Sequence, residues 1–314
     1  MTAPGRNGAR GRTCRLSPNA DAEKMAVDNS RPVVTGFYHE PSSSIAYIVE
    51  DAATKHAALI DPVLDYDETS GRVSTTFADR LHEEIKTRGL QVDWILDTHP
   101  HADHFSAAHY LKGELGAPMA IGEHIVDVQK LWKKIYNLPD FPADGSQWDR
   151  LFAGGDTFKV GSLEGRVMFS PGHTLASITY VFGDAAFVHD TIFQPDWGTA
   201  RTDFPGGSAA ALYDSIMAIL ALPDDARLFT GHDYRPNGRP AQWESTVGEQ
   251  KRANCHLKDH PGREAFVAMR QARDKTLPMP KLILHALQVN MRGGRLPTPE
   301  ADGRSYLKIP IDAL

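Results

Sequence analysis

The string Thr98-His99-Pro100-His101-Ala102-Asp103-His104 restricts this chain more than any other feature, because four side chains within six residues are competent metal ligands. It directly follows the apolar run Val92-Asp93-Trp94-Ile95-Leu96, which reads as a buried strand. The cluster therefore falls on a loop at the strand's C-terminal edge, where α/β proteins commonly place their sites. Imidazole and carboxylate donors together suit zinc, iron or manganese. A lone His-x-His pair would say little, since two histidines on one strand face are often surface residues. The pair Asp103-His104 is what a merely polar loop would not need.

Further ligands are expected where other strand ends meet this loop. His173 follows the strand 166–169 in Ser170-Pro171-Gly172-His173, a tight turn that exposes the imidazole. Asp190 ends the strand 186–188 and offers a carboxylate able to bridge two metals or complete one. His232 follows the strand 227–229 in Thr230-Gly231-His232-Asp233-Tyr234. His189 lies on the reverse face of its strand by period-two alternation and is expected behind the ligands or in the core. The remaining histidines, His39 among them, stand in no ligand spacing and read as packed or surface residues.

The elements around these motifs come in a repeated order. Short strands are expected at 33–38, 45–49 and 57–60, then a helix over 76–88 with Gly89 as its stop, then the strand 92–96. Helices follow near 106–115 and 123–136, and 137–155, with Pro139, Pro142, Gly145 and Gly154-Gly155, reads as a long surface loop. Strands return at 157–160, 166–169, 178–182 and 186–188, followed by a helix at 208–220 and a strand at 227–229. Helical stretches at 242–257 and 263–273 lead into a Pro- and Gly-rich tail. The duplicated order, with no linker between halves, implies one α/β domain over 31–314, a four-layer αβ/βα sandwich. Residues 1–30 read as a disordered leader: the first 24 are Arg- and Gly-rich, with a start at Met25 or a mitochondrial transit peptide as other readings.

Composition narrows the function. Only two cysteines, Cys14 and Cys255, occur among 314 residues, in no CxxC spacing, so neither a disulfide framework nor a thiolate site is expected. A reducing cytoplasm is the expected compartment. The net charge of −6 argues against a nucleic-acid partner, and no apolar run is long enough to span a membrane. A small or thiol-type substrate suits such a chain better.

With its motifs in this order from about Val33 to Tyr234, the sequence resembles the metallo-β-lactamase superfamily, and within it the persulfide dioxygenases related to glyoxalase II. The distinguishing stretches are Gly198-Thr199-Ala200-Arg201-Thr202-Asp203-Phe204-Pro205-Gly206-Gly207-Ser208, then His232-Asp233-Tyr234. Leu287-Gln288-Val289-Asn290-Met291-Arg292-Gly293-Gly294-Arg295-Leu296-Pro297 resembles the closing segment of a bacterial branch. The resemblance implies a metallo-β-lactamase sandwich of two mixed sheets flanked by helices. It implies oxidation of glutathione persulfide, or a similar small persulfide, by O2 and water to sulfite and free thiol, a step in sulfide detoxification. One Fe(II) per chain would be held by His99, His173 and Asp190, leaving positions open for substrate and dioxygen. His101, Asp103, His104 and His232 would surround that ion without holding a second, and Arg201 and Tyr234 would line the glutathione pocket. No nucleic acid or membrane is implied as a partner, and a homodimer is allowed. The segment 123–155 is longer than in compact members, and Asp196-Trp197-Gly198 stands where those have another turn, which leaves the thiol carrier open.

A glyoxalase II-type thiolester hydrolase with two Zn(II) or iron ions shares this ligand inventory. Its usual C-terminal helical domain carries basic glutathione-binding residues, whereas the tail here is Pro- and Gly-rich. A non-catalytic metal- or nucleic-acid-binding module would have lost ligands or gained a basic face, and the sequence shows neither.

Overall fold

Strand after strand in this chain is apolar on both faces, which demands cover on both sides of a sheet. The computed structural model describes residue 1 and residues 31–313, so the expected leader lies, apart from Met1, outside the described residues. The first half runs β1 (Val33–His39), β2 (Ser44–Asp51), β3 (His56–Ile60), β4 (Val63–Asp67), β5 (Arg72–Ser74), α1 (Thr76–Arg88), β6 (Gln91–Leu96), β7 (Phe105–Ser106), α2 (Ala108–Leu115), β8 (Met119–Gly122), α3 (Ile125–Ile135) and β9 (Arg150–Phe152). The second runs β10 (Thr157–Val160), β11 (Leu163–Phe169), β12 (Ile178–Phe182), β13 (Ala185–His189), α4 (Ala209–Leu220), β14 (Arg227–Thr230), β15 (Glu244–Thr246), α5 (Val247–Ala253), α6 (Arg263–Asp274) and α7 (Ile283–Asn290).

Two six-stranded sheets result, ordered β1-β2-β3-β6-β8-β9 and β10-β11-β12-β13-β14-β15, and both mix parallel and antiparallel pairs. Strands β5, β4 and β7 form a small third sheet. Period-two alternation distributes side chains between layers. Ala46 and Ile48 of β2 pack with Leu81 and Trp132 of the helices outside the first sheet. Ile45, Tyr47 and Val49 point the other way and meet Phe182, Phe187 and Phe229 of the second sheet. In β13, Ala185 and Phe187 enter that same inter-sheet core, while Ala186 and Val188 turn to Leu212 and Ile216 of α4. Helix, sheet, sheet and helix are thus separated by three apolar layers, the four-layer αβ/βα sandwich expected from the duplicated order.

Helix α1 forms where expected, burying Phe77, Leu81 and Ile85 and stopping at Gly89, which takes the left-handed conformation at φ 62°. Several segments differ from the sequence reading, among them the short strands β4, β5, β7 and β8, which it did not include. The stretch 137–155 is not simply a surface loop: Phe141 and Trp148 are buried, and β9 pairs with β8 as the edge of the first sheet. A three-residue edge strand has too little length to show a period. The helix expected from 242 begins only at Val247, because β14 has a free edge that β15 fills, and Thr246 then caps α5 through Glu249 N–H. The Pro- and Gly-rich tail contains α7, whose Ile283, Leu287 and Val289, with Met291 just beyond it, are buried in the first-half core.

Candidate metal centre

Four strand ends and their following turns meet at one edge of the sandwich. β6 delivers Asp97-Thr98 and the histidine loop, β11 delivers the turn to His173, β13 ends at His189 beside Asp190, and β14 leads through Gly231 to His232. Two glycines make the approach close enough. A Cβ on Gly172, whose φ is 137°, would sit 2.3 Å from Leu212 N at the start of α4. A Cβ on Gly231 would sit 2.5 Å from Asp190 Oδ1.

All seven expected ligand residues come together. His99 Nε2 and His173 Nε2 lie 3.9 and 3.6 Å from Asp190 Oδ2, and the ligating atoms of the three fall within 4.8 Å of one another. His101, Asp103 and His104 form an adjoining set on the same criterion. His232 Nε2 lies between the two sets, 3.3 Å from Asp190 Oδ2 and 3.5 Å from Asp103 Oδ2. His99 Nε2, His101 Nδ1, His104 Nε2, His232 Nδ1 and Asp190 Oδ1 are buried without a hydrogen-bond partner. Orphaned buried polar atoms are costly and rare, and a cluster of imidazole and carboxylate orphans is what a metal ion would satisfy.

Neighbours fix the ligand rings. His173 Nδ1–H donates to Arg201 O at 2.9 Å, which leaves the Nε2 lone pair available to a metal ion. His99 Nδ1 lies 3.0 Å from Thr98 Oγ1. His101 Nε2 is 3.0 Å from Asp61 Oδ1, an ion pair without a directed hydrogen bond. Asp61 also accepts from Thr98 N and Thr98 Oγ1. Ser44 Oγ donates to Asp103 Oδ2 at 3.0 Å and is 3.0 Å from His104 Nδ1. Asn290 of α7 donates to His101 O and His104 O and accepts from Ser106 N, so the tail holds the loop from beneath. His189 is buried behind the site, bonded to Ser170 and Thr191 hydroxyls.

Electrostatics follow from burial and pairing. Burial holds the His99 imidazolium well below its usual range, and the neighbouring histidines lower it further. Burial lowers His173 against the pull of Asp190, and lowers His104 to about 4. For Asp190 burial opposes ionisation, but the His232 charge and hydrogen bond together with His173 outweigh it and the carboxyl sits at about 2. His101 is likewise disfavoured by burial, yet Asp61 raises it to about 9. His99 and His173 are therefore neutral imidazoles beside the Asp190 carboxylate, the forms that bind metals, whereas Asp190 and Asp103 hold the His232 imidazolium well above its usual range against burial.

The centre opens into a cavity of about 590 Å³, whose apolar wall includes Tyr66, Phe193, Trp197 and Phe204. Arg201 and Tyr234 both line it. Tyr234 stacks parallel on His232, ring centroids 5.4 Å apart. The Arg201 guanidinium is engaged by both oxygens of Asp203 at 2.7 Å and donates to Pro278 O. The sequence reading missed Asp61, Ser44 and Asn290. Asp61 alone had a signal, being an acidic residue at the end of a buried strand, as Asp97 and Asp190 are.

A family model described as the metallo-beta-lactamase superfamily matches residues 40–232. The chain is 65% identical over 292 residues to the beta-lactamase hydrolase-like protein of Xylella fastidiosa strain 9a5c, covering 93% of this chain and 67% of that protein. It thus spans about two thirds of the length of such relatives. It is 31% identical over 274 residues to the mitochondrial persulfide dioxygenase ETHE1 of Homo sapiens, covering 86% of this chain and 92% of that one. The crystal structure of ETHE1 from Myxococcus xanthus superposes with a TM-score of 0.67 at 29% identity, over 84% of this chain and 100% of that one. Among the described residues no helix is long and apolar enough to cross a membrane.

Proposed function

This chain belongs to the metallo-β-lactamase superfamily, and we propose that within it the protein is a mononuclear non-haem Fe(II) persulfide dioxygenase. Glutathione persulfide, or a similar small persulfide, reacts with O2 and H2O to give the free thiol, sulfite and two protons. The four electrons lost by the terminal sulfur are those taken up by dioxygen. The observation that carries this reading is the inequality of the two ligand sets. Asp103 Oδ2 accepts from Ser44 and is hydrogen-bonded to His104 at 3.0 Å, whereas Asp190 Oδ1 has no partner and Asp190 Oδ2 faces only the Nε2 atoms of His232, His173 and His99 at 3.3, 3.6 and 3.9 Å. The set His99, His173 and Asp190 is left free for one ion, and likeness to the human persulfide dioxygenase over most of both chains supports the same choice. A ferrous ion there would supply electrons to dioxygen and leave positions for the two reactants.

The chain's own residues bind and orient. The apolar wall displaces water from the persulfide, and the cavity brings it beside the metal ligands, turning an encounter into a reaction between neighbours. Tyr234 offers a hydroxyl and Arg201 a guanidinium to the thiol carrier, the latter in competition with Asp203. A cytoplasmic setting is proposed with this activity.

A glyoxalase II-type thiolester hydrolase with two metal ions is the second reading. It is favoured by the equally orphaned His101 Nδ1 and His104 Nε2, and by the hydrolase-like name of the 65% identical relative. Oxygen uptake with glutathione persulfide by iron-loaded protein supports the dioxygenase. Hydrolysis of S-lactoylglutathione with no oxygen uptake on any small persulfide would overturn it.

A further inference from the structure

The buried face of α6 is the stripe Phe266, Arg270 and Asp274, at four-residue spacing. Phe266 joins Leu212 and Ile216 of α4 in one apolar cluster, so the helix is already docked near its start. Where the apolar stripe would continue, the sequence places a guanidinium and a carboxylate, 1% and 2% exposed. Arg270 Nε and Nη2 converge on Asp274 Oδ1 at 2.9 and 2.5 Å. Arg270 Nη1 donates to Thr199 O at 3.0 Å, and Asp274 Oδ2 accepts from Thr202 N and Thr202 Oγ1 at 2.9 and 3.1 Å. The remaining bonds of the pair therefore end on the loop 199–203, not on α4.

We propose that the Arg270–Asp274 pair is a positioning device for the metal centre, fixing the loop 199–203 against which His173 and the turn at Asp190 are set. Arg201 O, between the two held threonines, accepts from His173 Nδ1. On the other side Ala200 N donates to Thr191 O at 3.3 Å and Thr199 bridges Ile192, and Thr191 and Ile192 directly follow Asp190. His256 holds the start of the loop. Burial, with Arg270 and Arg273 nearby, lowers its ring to about 4, and the neutral Nδ1 accepts from Thr199 N at 3.0 Å. A Cβ on Gly198 would sit 2.3 Å from that nitrogen, so the ring reaches the backbone only past a glycine. Helix α6 thus serves the set of His173 and Asp190 as Asn290 of α7 serves the loop of His101 and His104.

A buried ion pair is a poor means of fastening a helix. Desolvation offsets much of its attraction, and apolar side chains of similar volume often hold a helix as well or better. What apolar side chains cannot do is fix the direction of Thr199 O and of Thr202 N–H. Groups that orient a ligand ring from behind commonly change metal affinity by roughly 10- to 100-fold when removed.

The inference rests on the proposed function only in that His99, His173 and Asp190 hold an ion, and its test reads zinc affinity and not turnover. In the double variant Arg270→Met, Asp274→Leu both charges go while the packing stays, so the metal-free protein should melt within a few degrees of wild type. Its zinc affinity, measured by competition with a chromophoric chelator, should nevertheless fall by roughly 10-fold or more. In metal-free wild type the His173 Nδ1–H should give a slowly exchanging proton signal by NMR, and the double variant should lose it. Arg270→Lys keeps a cation beside Asp274 without the reach to Thr199 O, and its zinc affinity should lie between the two. Wild-type zinc affinity with an intact His173 signal, in the double variant or, if that does not fold, in Arg270→Lys, would overturn the proposal. So would an affinity loss confined to variants whose metal-free melting temperature has dropped. A wild type that holds two zinc ions would contradict the mononuclear reading and leave this one standing, with the loss then falling on one ion of the two.

Discussion

Asn290 lies far from the histidine loop in sequence, yet it is 2% exposed and bonded to that loop three times: Ser106 N at 2.8 Å, and His101 O and His104 O each at 2.7 Å. Asn290→Ala would leave one N–H and two carbonyl groups buried and unpaired, each costing about 1–3 kcal/mol. The truncated side chain leaves room for a water, so the lower end of the sum, about 3 kcal/mol, is the expected loss. At roughly 2–4 °C per kcal/mol for a domain of this size, the melting temperature should fall by about 6–12 °C. Asn290→Asp preserves shape but sets a carboxylate oxygen against two carbonyls, and should lose at least as much. Urea unfolding of metal-free protein gives both values, with m unchanged if the loss is one of stability. Both variants should also release bound metal more readily, because the loop carrying His99 is loosened. A loss below about 1 kcal/mol in both variants would refute the claim that the tail secures the metal loop.

Three further outcomes are expected. His99→Ala, His173→Ala and Asp190→Ala should abolish metal retention while His232→Ala keeps most of it; equal loss in all four, by elemental analysis, would mean a dinuclear site. Arg201→Ala should raise KM more than it lowers kcat, as steady-state kinetics would show, whereas a fall in melting temperature with unchanged KM would leave Arg201 only its Asp203 pair. Burial opposes ionisation of Asp51, but hydrogen bonds from Ser162, Thr54 and Ala53 prevail and hold its carboxyl at about 2. A depressed carboxyl stabilises the fold above its unfolded value and loses that contribution as pH falls through about 2. Asp51→Asn should therefore cost about 1 kcal/mol at neutral pH, allowing for solvent near the turn, and the deficit should vanish toward pH 2 in acid-unfolding curves.

What could be read from sequence was local. His99, His101, Asp103 and His104 announce themselves because one loop carries them, and His173, Asp190 and His232 because each follows an apolar strand. The two-layer alternation of β2 and β13 was visible as continuous apolar runs. What was hidden depends on distant pairing. Asn290 sits 189 residues from His101, inside what reads as a tail, and although it falls in the quoted closing segment nothing in that segment says which loop it holds. Ser44 looks like a turn residue and His39 a surface one until the fold brings Ser44 against Asp103 and His39 against Asp65. Strands β7 and β9, of two and three residues, carry no period of their own and exist because a neighbouring edge was open.

The central claim is one iron ion turning over one persulfide with one dioxygen. Its most direct test uses a single anaerobically purified, iron-loaded preparation, in which metal per chain and O2 consumed per glutathione persulfide are measured together. The account predicts about one iron per chain and equal amounts of O2 consumed and sulfite formed. Two tightly bound metal ions per chain, with thiolester hydrolysis and no oxygen uptake, would contradict it.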